Sequence, residues 1–342
     1  MEATMSRRII LILFWTLFVL IAQPIHPVSA QTTPDVIKVG IYLIRAGALD
    51  ITTGAIDVDF YIEFTCPAKC EDKADFEVIN GSVKSKILLD DAEKETTPTY
   101  RVSATVFQEV NLRKYPFDNH DIKIVIESSN YPSDQVEYVV NEEKTAVDKY
   151  VFILGWNIDP KDHAAKIVDQ YYAPWDSHYT RYEFTTHLTK PSLTGWLKGL
   201  LPAVIIVLGA LFALFITTKN VGNRVAIITS ALVASVLYHM NFTSRVPPIG
   251  YLTFADTFMI INYLILLISL SLTIWIIRVD SAPDKPAPAV PEKKPTEAPA
   301  PQPAAPSRQE LIARVNKLEL IYIPVLWLVL QIMNYEIGRA HV

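Results

Sequence analysis

Cysteine is nearly absent: Cys66 and Cys70 are the two in 342 residues. That is too few for a disulfide scaffold, and bridging them would close a very short loop that adds little stability. A basic excess is missing too. With 31 Lys and Arg against 36 Asp and Glu, the formal charge is −5, which gives no footing for nucleic acid. No phosphate-cradling glycine loop, nucleophile–base pair or metal-ligand spacing occurs. The residues therefore support neither an enzyme nor a cofactor or metal site. No internal repeat is visible, against a transporter built from repeated, broken helices. What the chain does have is long apolar runs: one at its start, three between about 197 and 278, and one near its end. The composition is that of a multidomain membrane protein with a large soluble part.

Arg7 and Arg8 precede the apolar run Ile9–Ala22, and Val28-Ser29-Ala30 supplies small residues before a cleavage point. Residues 1–30 read as a signal peptide, the other reading being a retained anchor helix. Export puts the next segment in an oxidising compartment, where Cys66 and Cys70 can pair. Residues 31–191 read as an extracellular or periplasmic all-β sandwich. Val36–Arg45 and Ala55–Thr65 alternate apolar and polar residues, with Ile56, Val58, Phe60, Ile62 and Phe64 on one face. Further strands are expected at Phe76–Ile79, Tyr100–Val110, His120–Glu127, Gln135–Val140, His163–Tyr172 and Thr180–Thr189.

Four spans follow as an all-α transmembrane domain. Residues 192–279 carry the first three (Trp196–Thr217, one through Val225–Phe242, and Thr257–Ile277), 280–308 form a Pro- and Ala-rich cytoplasmic linker, and 309–342 hold the fourth, over Leu311–Tyr335. Basic residues from Lys219 and Arg224 to Arg314 and Lys317 gather opposite the sandwich, as positive-inside topology requires. The location expected is thus a bacterial plasma or inner membrane. Trp196, Trp327 and Tyr335 suit interfacial or lipid-facing positions.

The second span is long enough to cross a core of roughly 30 Å, yet Thr229, Ser230, Ser235, Tyr238 and His239 interrupt it. Such groups face protein or water rather than lipid. At helical spacing Ala226, Ser230, Val233, Leu237 and Met240 form one stripe, small and polar at the cytoplasmic end and apolar above. Copies around an axis would make a pore with a hydrophobic constriction. A buried helix packing through small residues is the other reading. The loop Glu109–Asp118 also departs from habit: Tyr115-Pro116-Phe117 sets a rigid apolar tip where turns are normally polar, to be presented or else tucked under the sandwich.

An exported sandwich, Tyr115-Pro-Phe-Asp118 followed by Asp121-Ile-Lys-Ile-Val-Ile-Glu-Ser128, Gly155-Trp-Asn157, Pro202 in the first span and Val246-Pro-Pro-Ile-Gly-Tyr-Leu-Thr253 after the second occur in this order. In this the chain resembles a bacterial-type pentameric ligand-gated ion channel, of the family of the Cys-loop receptors. The family's namesake cysteines are replaced by Gln108 and Ile122, as in prokaryotic members. The stretch from Thr65 to Phe76 is short and lacks the Trp-x-Pro-Asp/Glu wall of a conventional agonist pocket.

The resemblance implies a homopentamer in membrane lipid, gated by a small-molecule ligand or by protons and passing inorganic ions. It implies that Ala226, Ser230, Val233, Leu237 and Met240 face the pore, with Val233 and Leu237 as the gate. Gly222, Asn223 and Arg224 stand at the inner mouth and Arg245 at the outer; basic rings lean the expectation towards anion or weak selectivity, unless the Arg side chains point away behind the helix. Asp50, Asp118 and Lys190 match charged partners at the domain interface, although Asp50 also reads as a solvated turn residue. Tyr115, Pro116 and Phe117 would press on the loop stiffened by Pro247 and Pro248. Tyr171, Tyr172, Trp175 and Tyr179 sit where the family's capping loop hangs, as an amine cage or as packing against a neighbour. The alternatives are a cation-selective proton- or amine-gated channel of the same fold, and a membrane-anchored sensor that conducts nothing.

Overall fold

Strict alternation builds the first sheet. In the computed structural model, which describes residues 33–89, 95–244, 246–282 and 307–340, strand β2 (Ala55–Thr65) buries every second residue from Ile56 to Phe64. It pairs antiparallel with β1 (Asp35–Ala46) and β5 (Thr99–Phe107). The order β4-β5-β2-β1-β7, with β4 Gly81–Leu88 and β7 Val136–Val140, is completed by the short β8 (Ala146–Val147) on β1. The second sheet runs β3-β6-β10-β9: Phe76–Val78, His120–Ser128, Ser177–Thr189 and Asn157–Tyr172. Inward faces of both sheets share one core, including Ile37, Phe60, Phe64, Ile124, Tyr138 and Phe184. Cys66 and Cys70 are joined as a disulfide beside the Glu71–Ala74 turn.

Four helices long and apolar enough to cross a membrane follow: α1 Ser192–Phe215, α2 Val221–Thr243, α3 Phe254–Asp280 and α4 Arg308–Ala340. The expected leader over 1–30, most of the linker and Arg245 lie outside the described residues. Trp327 corrects its sequence reading. It is buried, not lipid-facing, and its indole N–H donates to Asn262 Oδ1 at 2.8 Å. Gln331 Nε2 donates to the same oxygen at 3.0 Å, so a polar knot ties α4 to α3.

Pro202 shapes the top of α1. Having no N–H, it leaves the carbonyl of Lys198 without its helical donor, directly after a wide turn over Gly195–Leu200. The hydroxyl of Tyr238 on α2 covers the gap, donating to the carbonyls of Gly199 at 2.8 Å and Lys198 at 3.2 Å. Tyr238→Phe removes that donor and keeps the ring. It should cost about 1–3 kcal/mol, read as a lower unfolding midpoint of the detergent-solubilised protein, with no change expected from Tyr335→Phe.

Candidate functional site

Helix α2 carries two unlike faces. Val221, Arg224, Ile228, Ala231 and Ser235 are buried against its own subunit. Gly222, Asn223, Ala226, Thr229 and Ser230 are exposed on the other side, and above them Val233, Leu237 and Met240 expose 54%, 62% and 66% of their surface. The five residues of the stripe are thus all exposed in the single chain, as are Ile227 and Val236 on the same helix. Arg224 requires a correction. It does not stand at the mouth beside Gly222 and Asn223 but turns inward, donating from Nη2 to Glu319 Oε2 at 2.9 Å and from Nη1 to Asn316 Oδ1 at 2.7 Å, both on α4. On the α3 side, His239 Nδ1 lies 2.8 Å from the Tyr263 hydroxyl and Nε2 lies 3.0 Å from Asp256 Oδ1, the carboxylate that also caps α3.

The Tyr115-Pro-Phe tip is the joint between sandwich and helices. Tyr115 is buried with Leu112 and Ala255, its ring 5.2 Å from Phe242. Phe117 wedges between Trp196 and Phe254, with ring centroids at 5.6 and 5.7 Å. Only glycine fits at 195, since an added Cβ would lie 2.9 Å from the Phe117 ring; at 199 it would meet Pro116 Cγ at 3.1 Å. Backbone bonds lock the same contact: Phe254 N–H donates to the Arg113 carbonyl and Ala255 N–H to that of Tyr115, at 2.8 and 3.1 Å. The receiving loop packs Val246 and Ile249 against this cluster; Pro247 beside them is half-buried and Pro248 exposed.

Charge is concentrated directly above. Asp118 is fully buried, and Lys190 Nζ reaches its two oxygens at 3.1 and 3.2 Å. His120, two residues on, places Nε2 2.8 Å from Asp118 Oδ2 and meets the Trp156 ring edge-on. The Lys190 ammonium also lies over the rings of Trp156 and Tyr115, at 4.8 and 5.2 Å. Burial pushes the Asp118 carboxyl up, but the His120 hydrogen bond and the Lys190 charge outweigh it and hold the group below its usual value. Asp50 does not join this cluster, a second correction. It is exposed and accepts from Thr52 N–H and Thr53 Oγ1 within its own turn, at 2.8 and 2.7 Å.

The aromatic cluster forms at the β9–β10 turn. Trp175 and Tyr179 meet Tyr172 edge-on at 5.6 and 5.5 Å and line a cavity of about 340 Å³ with Glu77, Glu127 and Ser128. Tyr171 is turned away, pairing with His178 and donating to Asp176. Sequence reasoning missed the floor of this cavity. Buried Glu127 accepts from Arg181 Nε at 2.6 Å and from the Tyr172 hydroxyl at 3.0 Å. Burial raises the Tyr172 hydroxyl; the Arg181 hydrogen bond pulls it back, and the hydrogen bond and charge of Glu127 add to the rise. Among the described residues no cluster suited to a metal ion is present.

No family model matches the chain. Over 164 residues it is 21% identical to the proton-gated ion channel of Gloeobacter violaceus, covering 48% of this chain and 45% of the relative. The chain thus spans under half the length of the curated relative it matches. Over that stretch the chain is similar to a bacterial proton-gated ion channel, and its two-sheet sandwich, seated through a Tyr-Pro-Phe-Asp loop on four apolar helices, agrees with the resemblance to prokaryotic pentameric ligand-gated ion channels that lack the cysteine pair of the Cys-loop.

Proposed function

We propose that five copies of this chain form a ligand-gated channel, with the sandwich outside a bacterial membrane and α2 lining the pore. The observation that carries this reading is the stripe on α2: polar groups at Thr229 and Ser230, in a span-length helix, are left uncovered by their own subunit. Water or further copies must meet them. Exposed Tyr150, Phe152 and Leu154 on one loop of the sandwich support the same assembly, since an apolar cluster of this kind calls for a covering partner. Val233 and Leu237 then form the gate, and rearrangement of the sandwich reaches it through the Tyr115–Phe242 and Phe117–Phe254 contacts.

Two stimuli have support on different residues. The cage of Tyr172, Trp175 and Tyr179 beside Glu77 and Glu127 suits a small amine. The similarity to a proton-gated channel favours acid. Cation selectivity gains weight against the anion reading because Arg224 is neutralised by Glu319. Purified protein in planar bilayers under a salt gradient, stepped through pH and challenged with simple amines, tests the proposal. Unitary currents gated by either stimulus are expected; a monomer in mild detergent that never conducts defeats it. If amines gate, Trp175→Ala, at a side chain 70% exposed, should raise the half-activating concentration about two- to fivefold, the scale of a cation–π contact at an exposed site.

A further inference from the structure

Helix α2 is tied to α4 near its cytoplasmic end by an ion pair that no water reaches: the side chains of Arg224 and Glu319 are each 0% exposed. The pair is also incompletely bonded. Arg224 Nε and Glu319 Oε1 find no hydrogen-bond partner among the described residues, so one N–H···O contact and the Asn316 amide hold the guanidinium. On the opposite side of the same turn stand Gly222 and Asn223, exposed and uncharged, and an added Cβ at Gly222 would meet nothing within 4 Å. The first turn of α2 holds no acidic residue. One arginine therefore has a dry position behind the helix and open space in front of it. The carboxylate on α4 decides between them.

We propose that Glu319 is a positioning residue for ion selectivity: from the fourth helix it holds Arg224 behind the pore wall, so that the inner mouth presents Gly222 and Asn223 instead of a ring of guanidinium groups. This rests on the channel reading above. An arginine cannot shed its charge by losing a proton, and a buried unpaired cation is strongly disfavoured. Without the carboxylate, Arg224 must reach water, and the space beside Gly222 is where water is available. Several copies doing so would ring the mouth with positive charge, which favours anions.

The test is the reversal potential of purified wild-type and variant channels in planar bilayers under a sodium chloride gradient. Glu319→Gln should raise the chloride-to-sodium permeability ratio about tenfold, because a basic ring favours anions and about 1.4 kcal/mol of preference suffices for that change. Glu319→Asp should stay near wild type, and Arg224→Gln combined with Glu319→Gln should return the ratio to the wild-type value. Phenylglyoxal applied from the cytoplasmic side should block Glu319→Gln and spare the double variant. An unchanged ratio in Glu319→Gln overturns the proposal while leaving the channel reading intact. If Glu319→Gln does not assemble, the double variant decides alone: a wild-type ratio supports a hidden Arg224, and a fall in relative chloride permeability shows that its charge already faced the mouth and overturns the proposal. A wild-type protein that passes no current overturns the channel reading and this role with it.

Discussion

Asp118→Asn should silence stimulus-evoked current while the protein still reaches the membrane. Asp118 is the one carboxylate bonded to Lys190 among the described residues, and its side chain is fully buried. With an amide there, Lys190 is left three-quarters buried beside two aromatic rings without a counter-ion. Breaking a buried pair from one side costs on the order of 3–5 kcal/mol. If half of that falls on the coupling between sandwich and helices, the open-state population drops about thirtyfold. The measurement is open probability at saturating stimulus, compared with Asp50→Asn, whose exposed carboxylate serves only its own turn and should change little. Exchanging the two charges, Asp118→Lys with Lys190→Asp, would restore a simple pair. Here it sets a lysine against His120, so recovery should be partial and improve when His120→Gln is added. Equal loss in the single, exchanged and triple variants would remove the pairing from the mechanism.

The same cluster fixes a sign for pH. Asp118 is held below its usual value of 3.8, so its stabilising contribution is complete at neutral pH and through mild acid. It is lost only as pH falls through the lowered folded value. Mild acid therefore leaves the Asp118–Lys190 pair in place.

Much of this was legible from residue order. The inward faces of β1 and β2 follow from alternation, and the four spans follow from hydropathy. What escaped lies at edges and across long separations. Strand β4 went unread because it is an edge strand with a mostly exposed, lysine-bearing sequence. The first half of β9 went unread because Pro160 breaks the pattern, although β9 is also an edge and its register shifts there against β10. Within the membrane, the sequence left Arg224 between the inner mouth and a place behind α2, because nothing near it in the chain shows a partner. Its partner is 95 residues away on α4. Glu319 and Asn262 were still visible as polar residues inside apolar helices, a sign that each needs a protein partner. His120 could have been placed as well, since on an extended chain residues i and i+2 share a side, and Asp118 precedes it by two.

Leu237→Ser should open the channel without stimulus. On the isolated subunit Leu237 and Val233 are exposed and hold nothing in the core together, so the change should leave folding and assembly intact. Around an axis, the same two side chains would meet their copies and dry the passage between them. Fully burying a leucine is worth about 1.5–3 kcal/mol, and a hydroxymethyl group returns most of that to water. With several copies altered at once, the dry constriction loses its advantage over the wet one by more than the 1.4 kcal/mol that makes a tenfold shift. Resting conductance per channel should therefore rise at least about tenfold, with Val233→Thr giving the same direction and a smaller size. Ser230→Ala, two turns lower on the same face, adds no polar group to the constriction and should leave resting current at the wild-type level. A buried-bundle α2 makes the opposite demand: Leu237→Ser would leave the bilayer as tight as before, and cysteines at 226, 230 and 237 would be closed to aqueous thiol reagents in every condition.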